Sequence, residues 1–401
     1  MRGNRPYTIA FVLPWYGREV VGGAEVEARK LAQNLRRLQG LPVEILTTCA
    51  KDGLDGWSRD FYRPGVEDDG GVAVRRFRLD SRPQLHFAEI NERLLRGETV
   101  SADKEALFMA ENVRSSGLFS YIGQNRDRYR YVFLPYLYGT TYWGSLSAPE
   151  RSFLIPCLHD EGQARMQLVR EMFGRFRRVL FHTPAERDLA GRLFALDESQ
   201  TYLLGEGVDV DVAGDAASFR RKYGVEAPFV LYVGRRGAGK NTPLLVDYFC
   251  RFKERSRQHC LADLKLVFVG KGPIDVPPEH KGDVLDLGFL PEQDKLDAYA
   301  AALVTCQPST NESFSIVLME SWVQGTPVLV NERCEVTRDH CLRSNGGLFF
   351  ASYLEFEACL RYLGEDPAVR KRLGELGGAY VRANSSWERI TKRFVHAVCS
   401  D

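Results

Sequence analysis

Residues 311–320 read Asn-Glu-Ser-Phe-Ser-Ile-Val-Leu-Met-Glu and lead from a polar loop into a helix-forming run. Two carboxylates, Glu312 and Glu320, stand in this stretch with seven residues between them. Glu312 lies in the part rich in Ser, Thr and Asn, where its side chain can point outward at a ligand. Glu320 lies about two turns further along, inside a helix whose start can receive an anion. The stretch therefore predicts a ligand site at the start of a helix.

Short apolar runs alternate with longer helical patterns on either side of this stretch, which favours α/β domains with parallel sheets. Two successive Rossmann-like halves follow, with a boundary near residues 205–210. The first half has predicted strands at 7–13, 43–48, 72–77, 131–134, 153–158 and 179–182. The second half has predicted strands at 229–233, 265–269, 284–287, 304–306 and 327–330.

Composition narrows the class of protein. The 401 residues are 44% hydrophobic, enough for a large core, and the net charge of +1 gives no reason to expect a nucleic acid partner. The 9 cysteines form no C-x-x-C pair, which indicates reduced thiols in a cytoplasmic protein. The 7 histidines form no ligand cluster, so we expect no structural metal. Neither a signal-peptide core nor an apolar stretch of the ~20 residues that span a bilayer is visible.

Gly22 and Gly23 follow the first predicted strand and open the first predicted helix. A glycine pair lets the backbone approach a phosphate closely, and a helix start supplies oriented N–H donors. An ordinary strand-to-helix loop is the alternative, because Gly-Gly is common in such loops. The local sequence leaves both interpretations open.

Residues 233–242 read Val-Gly-Arg-Arg-Gly-Ala-Gly-Lys-Asn-Thr, and two motifs compete for them. Two glycines and Lys240 fit the Walker A loop of a P-loop ATP- or GTP-binding enzyme. However, Asn241 stands where a Ser or Thr should hold Mg²⁺. The same residues also read G-R-x-x-x-x-K, in which Arg235 and Lys240 can neutralise a diphosphate. We favour the second motif because it also explains the motifs around it.

Three further candidates follow other predicted strands. Gly270, in Gly-Lys-Gly-Pro, and Leu290, in Leu-Gly-Phe-Leu-Pro, come after consecutive strands of the second half. Each could instead have only a structural role: Gly270 in a tight turn, and Leu290 at the end of a core strand. His159 follows the strand predicted at 153–158 and could contact a sugar hydroxyl, or it could be a structural histidine. His182 is expected to be structural.

Taken together, these motifs resemble those of the retaining GT-B glycosyltransferases of family 4, the glycosyl transferases group 1. The resemblance covers most of the chain and is strongest over 229–330. It implies an α/β GT-B fold, with two Rossmann-like domains whose parallel sheets face a central cleft. An acceptor domain at 1–206, completed by a C-terminal helix at 386–401, would precede a nucleotide-sugar donor domain at 207–385.

The resemblance also implies roles for individual residues. Arg235 and Lys240 would bind the diphosphate, and Glu312 would contact the sugar ring. His159 would lie near the reacting carbon, and Glu320 would accept hydrogen bonds from the ribose. The remaining donor contacts would come from Gly22, Gly23, Gly270, Leu290, Phe314, Ser315 and Ile316.

The implied activity is transfer of a hexose, with retained configuration and without a metal or cofactor, to a saccharide or lipid-linked acceptor. Family frequency favours a UDP-sugar, of the UDP-glucose type, over a GDP-sugar. A catalytically silent nucleotide-sugar-binding scaffold is a further alternative. The arginine-rich stretch 165–178 could give peripheral contact with the inner face of a membrane, although a solvated helix face is the plainer interpretation.

Overall fold

The computed structural model describes residues 7–17, 22–53, 57–81, 84–255 and 261–400. The chain forms two compact units. The first contains the residues up to Gly207 together with those from Trp387 onward, and the second spans Val208–Ser386. Two sequence expectations lie outside the described residues: the absence of a signal peptide at 1–6 and the thiol of Cys260.

The first unit is built on an eight-stranded sheet. Its strands are β1 (Thr8–Val12), β2 (Val43–Thr48), β3 (Gly65–Asp69), β4 (Val72–Phe77), β5 (Tyr129–Phe133), β6 (Ser152–Leu154), β7 (Arg178–Phe181) and β8 (Thr201–Leu203). They are arranged in the order β3-β4-β2-β1-β5-β6-β7-β8. All neighbours pair in parallel except β3 and β4. The six strands predicted for this half are present, although β6 ends four residues earlier than expected.

The antiparallel edge strand β3 corrects the prediction of a wholly parallel sheet. Its sequence, Gly-Val-Glu-Asp-Asp, has no apolar run, and four of its five residues are exposed. Gly70 and Gly71 connect it to β4, both with positive φ (64° and 85°), as a two-residue hairpin turn requires. A strand at the edge of a sheet needs no buried face, so periodicity could not reveal it.

Within the described ranges, seven α-helices of the first unit precede the second unit in the chain. They are α1 (Gly23–Gln39), α2 (Phe87–Leu95), α3 (Ala102–Glu111), α4 (Ser116–Gln124), α5 (Gly139–Gly144), α6 (Gln167–Phe173) and α7 (Pro184–Leu193). Helix α1 illustrates why they form: Ala28, Leu31 and Leu35 recur at helical spacing and are buried against the sheet. The helix ends at Gly40, whose φ of 65° suits a glycine C-cap.

The second unit contains a six-stranded, wholly parallel sheet. Its strands are β9 (Phe229–Val233), β10 (Lys265–Val269), β11 (Val284–Asp286), β12 (Val304–Gln307), β13 (Val328–Asn331) and β14 (Gly347–Phe350). They are arranged in the order β11-β10-β9-β12-β13-β14. The prediction gave five of these strands within a residue or two and missed β14.

In the part of this unit that the structure describes, seven α-helices accompany the sheet: α8 (Ala216–Tyr223), α9 (Thr242–Arg255), α10 (Glu292–Ala301), α11 (Ile316–Val323), α12 (Glu335–Ser344), α13 (Tyr353–Glu365) and α14 (Pro367–Asn384). The chain then returns to the first unit through α15 (Trp387–Cys399). Trp387, Ile390 and Phe394 of α15 are buried in the core that α1 also covers. None of the helices in the described part of the chain has the length and apolar character needed to span a bilayer.

Candidate functional site

In the second unit, the loops that follow β9, β10 and β11 are held against one another at the carboxyl edge of the sheet. The Gly234 amide donates to the Val269 carbonyl at 2.9 Å, and the Gly270 amide donates to the Gly288 carbonyl at 2.7 Å. Gly270 has a φ of 128°, and a Cβ there would lie 2.1 Å from the Gly234 carbonyl oxygen. Only glycine allows the loops to approach this closely. In a parallel sheet, this edge is where ligands bind.

Lys240 and Glu312 form an ion pair that joins the loop after β9 to the loop after β12. The Lys240 Nζ lies 2.7 Å from Glu312 Oε1. The lysine side chain is 30% exposed and the glutamate side chain 10%. Asn241, in the left-handed conformation with φ 55°, adds a second link through a 3.1 Å bond from its side-chain amide to the Pro308 carbonyl. The structure therefore brings together two residues that lie 72 positions apart in the sequence.

The two arginines of the β9 loop differ sharply in their surroundings. Arg235 is exposed, and no salt bridge to it occurs within the described ranges. Arg236 is buried, and its guanidinium lies 2.5 Å from Asp286 Oδ1 at the end of β11. Arg235 is thus the guanidinium that a ligand can reach, while Arg236 ties two loops together.

Glu320, in the second turn of α11, has a hydrogen-bond partner on each carboxylate oxygen. The Lys295 Nζ donates to Oε1 at 2.8 Å, and the Tyr299 hydroxyl donates to Oε2 at 3.0 Å. Burial, followed by the negative charge of Glu320, raises the pKa of Tyr299 well above its ordinary value, so the phenol remains a donor. The sequence did not reveal Lys295 and Tyr299 as partners of Glu320. Their i, i+4 spacing predicts that they share a face of α10, but not which residue that face contacts.

The loop that starts α11 has an unusual backbone at Ser315. Its φ and ψ are both 72°, a left-handed conformation that non-glycine residues rarely adopt. As the N-cap of α11, Ser315 makes no side-chain bond to the helix amides. Phe314 is buried, edge-on to His340 with ring centroids 5.3 Å apart, and Ile316 is partly buried. Any contribution of Phe314 to a ligand must therefore come from its backbone.

The two side chains at the end of the β11 loop point in different directions. Leu290 is buried in the core, so only its backbone can reach a ligand, whereas Phe289 is 61% exposed. The Lys271 Nζ lies 5.8 Å from the Phe289 ring centroid. Sequence reasoning chose Leu290 and missed Phe289, although an aromatic residue after a loop glycine was a usable signal.

The remaining predicted residues lie in the first unit. Gly22 is the N-cap of α1 in an extended conformation, and Gly23 is the first helical residue. His159 is partly buried and lies five residues beyond the end of β6, so it is not at the strand end as expected. Its neighbour Asp160 pairs with Arg165 at 2.5 Å. That these residues act together with those of the second unit stays a prediction.

His182 lies in a buried group that the sequence did not reveal. Its Nε2 is 2.8 Å from Glu27 Oε1, and a ligand atom of Cys157 lies within 4.8 Å of both. Burial opposes protonation, yet Glu27 and Glu186 raise the pKa of His182 to about 10. The expectation that no mixed Cys/His group exists was therefore incomplete. The opposite charges of His182 and Glu27 compensate each other, which agrees with the structural role expected for His182.

The arginine-rich stretch 165–178 does not expose an apolar face. The apolar residues between the arginines lie in the core of the first unit: Met166, Val169, Met172, Phe173 and Phe176. Arg178 donates to the Ala397 carbonyl at 2.8 Å. The solvated face that we considered the plainer interpretation fits this arrangement better than a membrane-inserting surface.

Comparison with known proteins agrees with the geometry of the second unit. Residues 215–377 match the family model described as Glycosyl transferases group 1. Residues 215–377 therefore form a domain of the glycosyl transferases group 1 family. It is similar to a D-inositol 3-phosphate glycosyltransferase of Kribbella flavida, with 26% identity over 383 residues that cover 88% of this chain and 85% of that protein.

Solved structures show the same fold. The chain superimposes on sucrose-phosphate synthase from Thermosynechococcus elongatus with a TM-score of 0.72 and 17% identity, covering 97% and 98% of the two chains. Anabaena HepE in complex with UDP-glucose gives a TM-score of 0.70 and 16% identity, covering 98% and 100%. The GT-B expectation is confirmed. The P-loop enzyme and the silent scaffold are not favoured by these similarities.

Proposed function

We propose that the chain is a retaining, metal-independent transferase that moves glucose, or a closely related hexose, from a UDP-sugar to a saccharide or lipid-linked acceptor. The observation that carries the proposal is the Lys240–Glu312 pair at the carboxyl edge of the second sheet. It sets a cation and a carboxylate side by side, and the exposed Arg235 lies on the same loop as Lys240. This is the combination that a diphosphate and an adjoining sugar would require.

The choice of donor is supported by solved structures of the same fold. HepE of Anabaena has been solved in complex with UDP and with UDP-glucose. These complexes support our proposal that UDP-glucose is the donor of this chain. The exposed Phe289, with Lys271 beside it, would offer a flat apolar face to the nucleobase.

The reaction that we propose is a substitution on one face of the anomeric carbon. The bond from that carbon to the diphosphate oxygen breaks, and a bond from the acceptor hydroxyl oxygen forms on the same face. The acceptor proton passes to the departing diphosphate oxygen. Lys240 and Arg235 would stabilise the charge that develops on the diphosphate, and Glu312 would orient the sugar hydroxyls. Such a route assigns no step to a metal.

The acceptor is proposed at a coarser level. The relatives named D-inositol 3-phosphate glycosyltransferases act, by that name, on a polyol phosphate. The similarity to the Kribbella protein covers 85% of that protein, so we propose a polyhydroxylated acceptor here. In this proposal, His159 of the first unit would contact the acceptor or the sugar near the reacting carbon.

Thermal unfolding against UDP, GDP, ADP and ATP, each with Mg²⁺ and with a chelator, tests the donor. A ligand at 100 times its dissociation constant adds about 2.7 kcal/mol to stability. We expect a stabilisation by UDP that does not depend on metal, and NMR of the product should then show retained configuration. A shift with ATP and Mg²⁺ alone would overturn the proposal. Binding of UDP-glucose without turnover on any acceptor, water included, would indicate the silent scaffold instead.

A further inference from the structure

The carboxylate of Glu320 accepts hydrogen bonds from two side chains of one helix, α10. Lys295 and Tyr299 are four residues apart on α10, so their side chains lie on the same face of that helix. Lys295 donates to Oε1 at 2.8 Å, and Tyr299 donates to Oε2 at 3.0 Å. The two oxygens are therefore bound separately, and the plane of the carboxylate is fixed.

This arrangement leaves acceptor capacity on both oxygens. A carboxylate oxygen can accept two hydrogen bonds, and each oxygen of Glu320 uses one of them for its partner on α10. The remaining lone pairs form two acceptors side by side. Two neighbouring hydroxyl groups on one face of a five-membered ring, as in ribose, can donate to such a pair at the same time.

We propose that Lys295 is a positioning residue that orients Glu320 toward the ribose diol, so that the enzyme distinguishes ribonucleoside from deoxyribonucleoside diphosphates. The inference rests on the proposed function, because it assumes a nucleoside diphosphate donor. It goes further by assigning the discrimination between sugars to a residue outside the motif that carries Glu320.

The charges around Lys295 support a fixed geometry. Its side chain is 19% exposed, and the Nζ also lies 3.1 Å from Glu292 Oε2. Burial opposes the positive charge, but Glu320 and Glu292 together raise the pKa of Lys295 above its ordinary value. The lysine therefore stays charged. Tyr299 is fully buried, and its carbonyl accepts from the Thr326 hydroxyl at 2.7 Å, which holds this part of α10 in place.

The test compares the binding of UDP with that of 2′-deoxy-UDP by titration calorimetry, in the wild-type chain and in Lys295→Met. One charge-assisted hydrogen bond is worth about a factor of ten in affinity, so the wild-type chain should prefer UDP by roughly tenfold. In Lys295→Met, the preference should fall to about twofold or less. Lys295→Arg, which keeps a charged donor, should retain most of it.

The chain offers a matched control at a second carboxylate, Asp294 of α10. Lys222 and Tyr223 of α8 both donate to Asp294 Oδ2, each at 2.6 Å, so a lysine and a tyrosine again bind one carboxylate. Lys222→Met should leave the ratio of the two dissociation constants unchanged.

An unchanged ratio in Lys295→Met would refute the inference, and so would an equal loss of affinity for both nucleotides. The second result would mean that Lys295 attracts the phosphates instead of orienting Glu320. Failure of the wild-type chain to bind UDP would refute the proposed function and, with it, this inference.

Discussion

Replacement of Lys240 by alanine separates the chemical role of this residue from its structural role. In the described part of the chain, its ammonium group is held by Glu312 at 2.7 Å, and 30% of the side chain is exposed. Because Glu312 is largely buried, loss of its partner should cost somewhat more than the about 1 kcal/mol of an exposed ion pair. Lys240→Ala should still fold, with a modest loss in the free energy of unfolding.

The effect on turnover should be much larger. Loss of one preorganised group that stabilises developing charge typically costs about 10²- to 10³-fold in kcat. Because Lys240 is partly exposed, solvent screens some of its charge, and we expect a value near the lower end, about 10²-fold. The substitution also leaves the Glu312 carboxylate, 10% exposed, without its partner near the diphosphate. Repulsion should therefore weaken UDP binding in Lys240→Ala, and Glu312→Gln in the same chain should restore part of it.

The assay is release of UDP from UDP-glucose, with water as acceptor where no better one is known, together with calorimetric binding of UDP. Lys265→Ala is the control. Its ammonium pairs with Asp283 at 2.9 Å, with side chains 28% and 23% exposed, so it removes a similar ion pair from the same sheet. Turnover of Lys240→Ala within threefold of wild type would refute the assignment. So would an equal loss in Lys265→Ala, since the effect would then be structural.

Two other predictions concern His340 and Gly270 of the second unit, and a third concerns the proposed metal independence. Burial, together with the charge of Arg343, lowers the pKa of His340 to about 3, below the ~6.5 of an unfolded chain. Between these two pKa values only the unfolded state binds the proton, so the free energy of unfolding should fall with falling pH by up to about 1.4 kcal/mol per pH unit. Urea unfolding measured at several pH values should show a weaker pH dependence of this free energy in His340→Gln. An equal pH dependence in the two proteins would contradict the prediction. Gly270→Ala should lower the free energy of unfolding by roughly 2–4 kcal/mol, because the added Cβ would meet the Gly234 carbonyl. Gly282→Ala is the control: a Cβ there meets no atom within 4 Å, so thermal unfolding should change little. Finally, turnover should be unchanged after dialysis against a chelator, and recovery of activity on adding Mg²⁺ would overturn the metal-independent proposal.

Strands with buried apolar runs could be predicted from the sequence, whereas three strands with few buried residues could not, although β11, which has none, was predicted. Strand β9 reads Phe-Val-Leu-Tyr-Val and is buried throughout, so its apolar run gave its limits correctly. Strands β3, β8 and β14 have few buried residues: β8 is partly exposed along its whole length, and only Phe350 of β14 is buried. These strands form because they pair with a neighbouring strand. Periodicity along the chain does not report such pairing.

The same limit applies to the candidate site. Motif spacing indicated Glu312 and Lys240 as site residues, and the structure pairs them, because each follows a strand of one parallel sheet. The direction of a side chain is decided by packing, so the sequence chose Leu290 over the exposed Phe289. Lys295 could not be found at all, since its importance lies in the residue that it faces across two helices.

Each carboxylate of the stretch 311–320 forms an ion pair with a lysine from another element, which affects how a donor can bind. Glu312 is paired with Lys240 of the β9 loop, and Glu320 with Lys295 of α10. A diphosphate that binds Lys240 therefore meets a cation that already has a partner, and Lys240 must be shared between Glu312 and the phosphate. The exposed Arg235 has no carboxylate to share with the phosphate in the described part of the chain, so long-range attraction of the donor should depend mainly on Arg235. Lys240 would then act at short range, when charge develops on the departing group, and its contribution should appear in kcat more than in affinity.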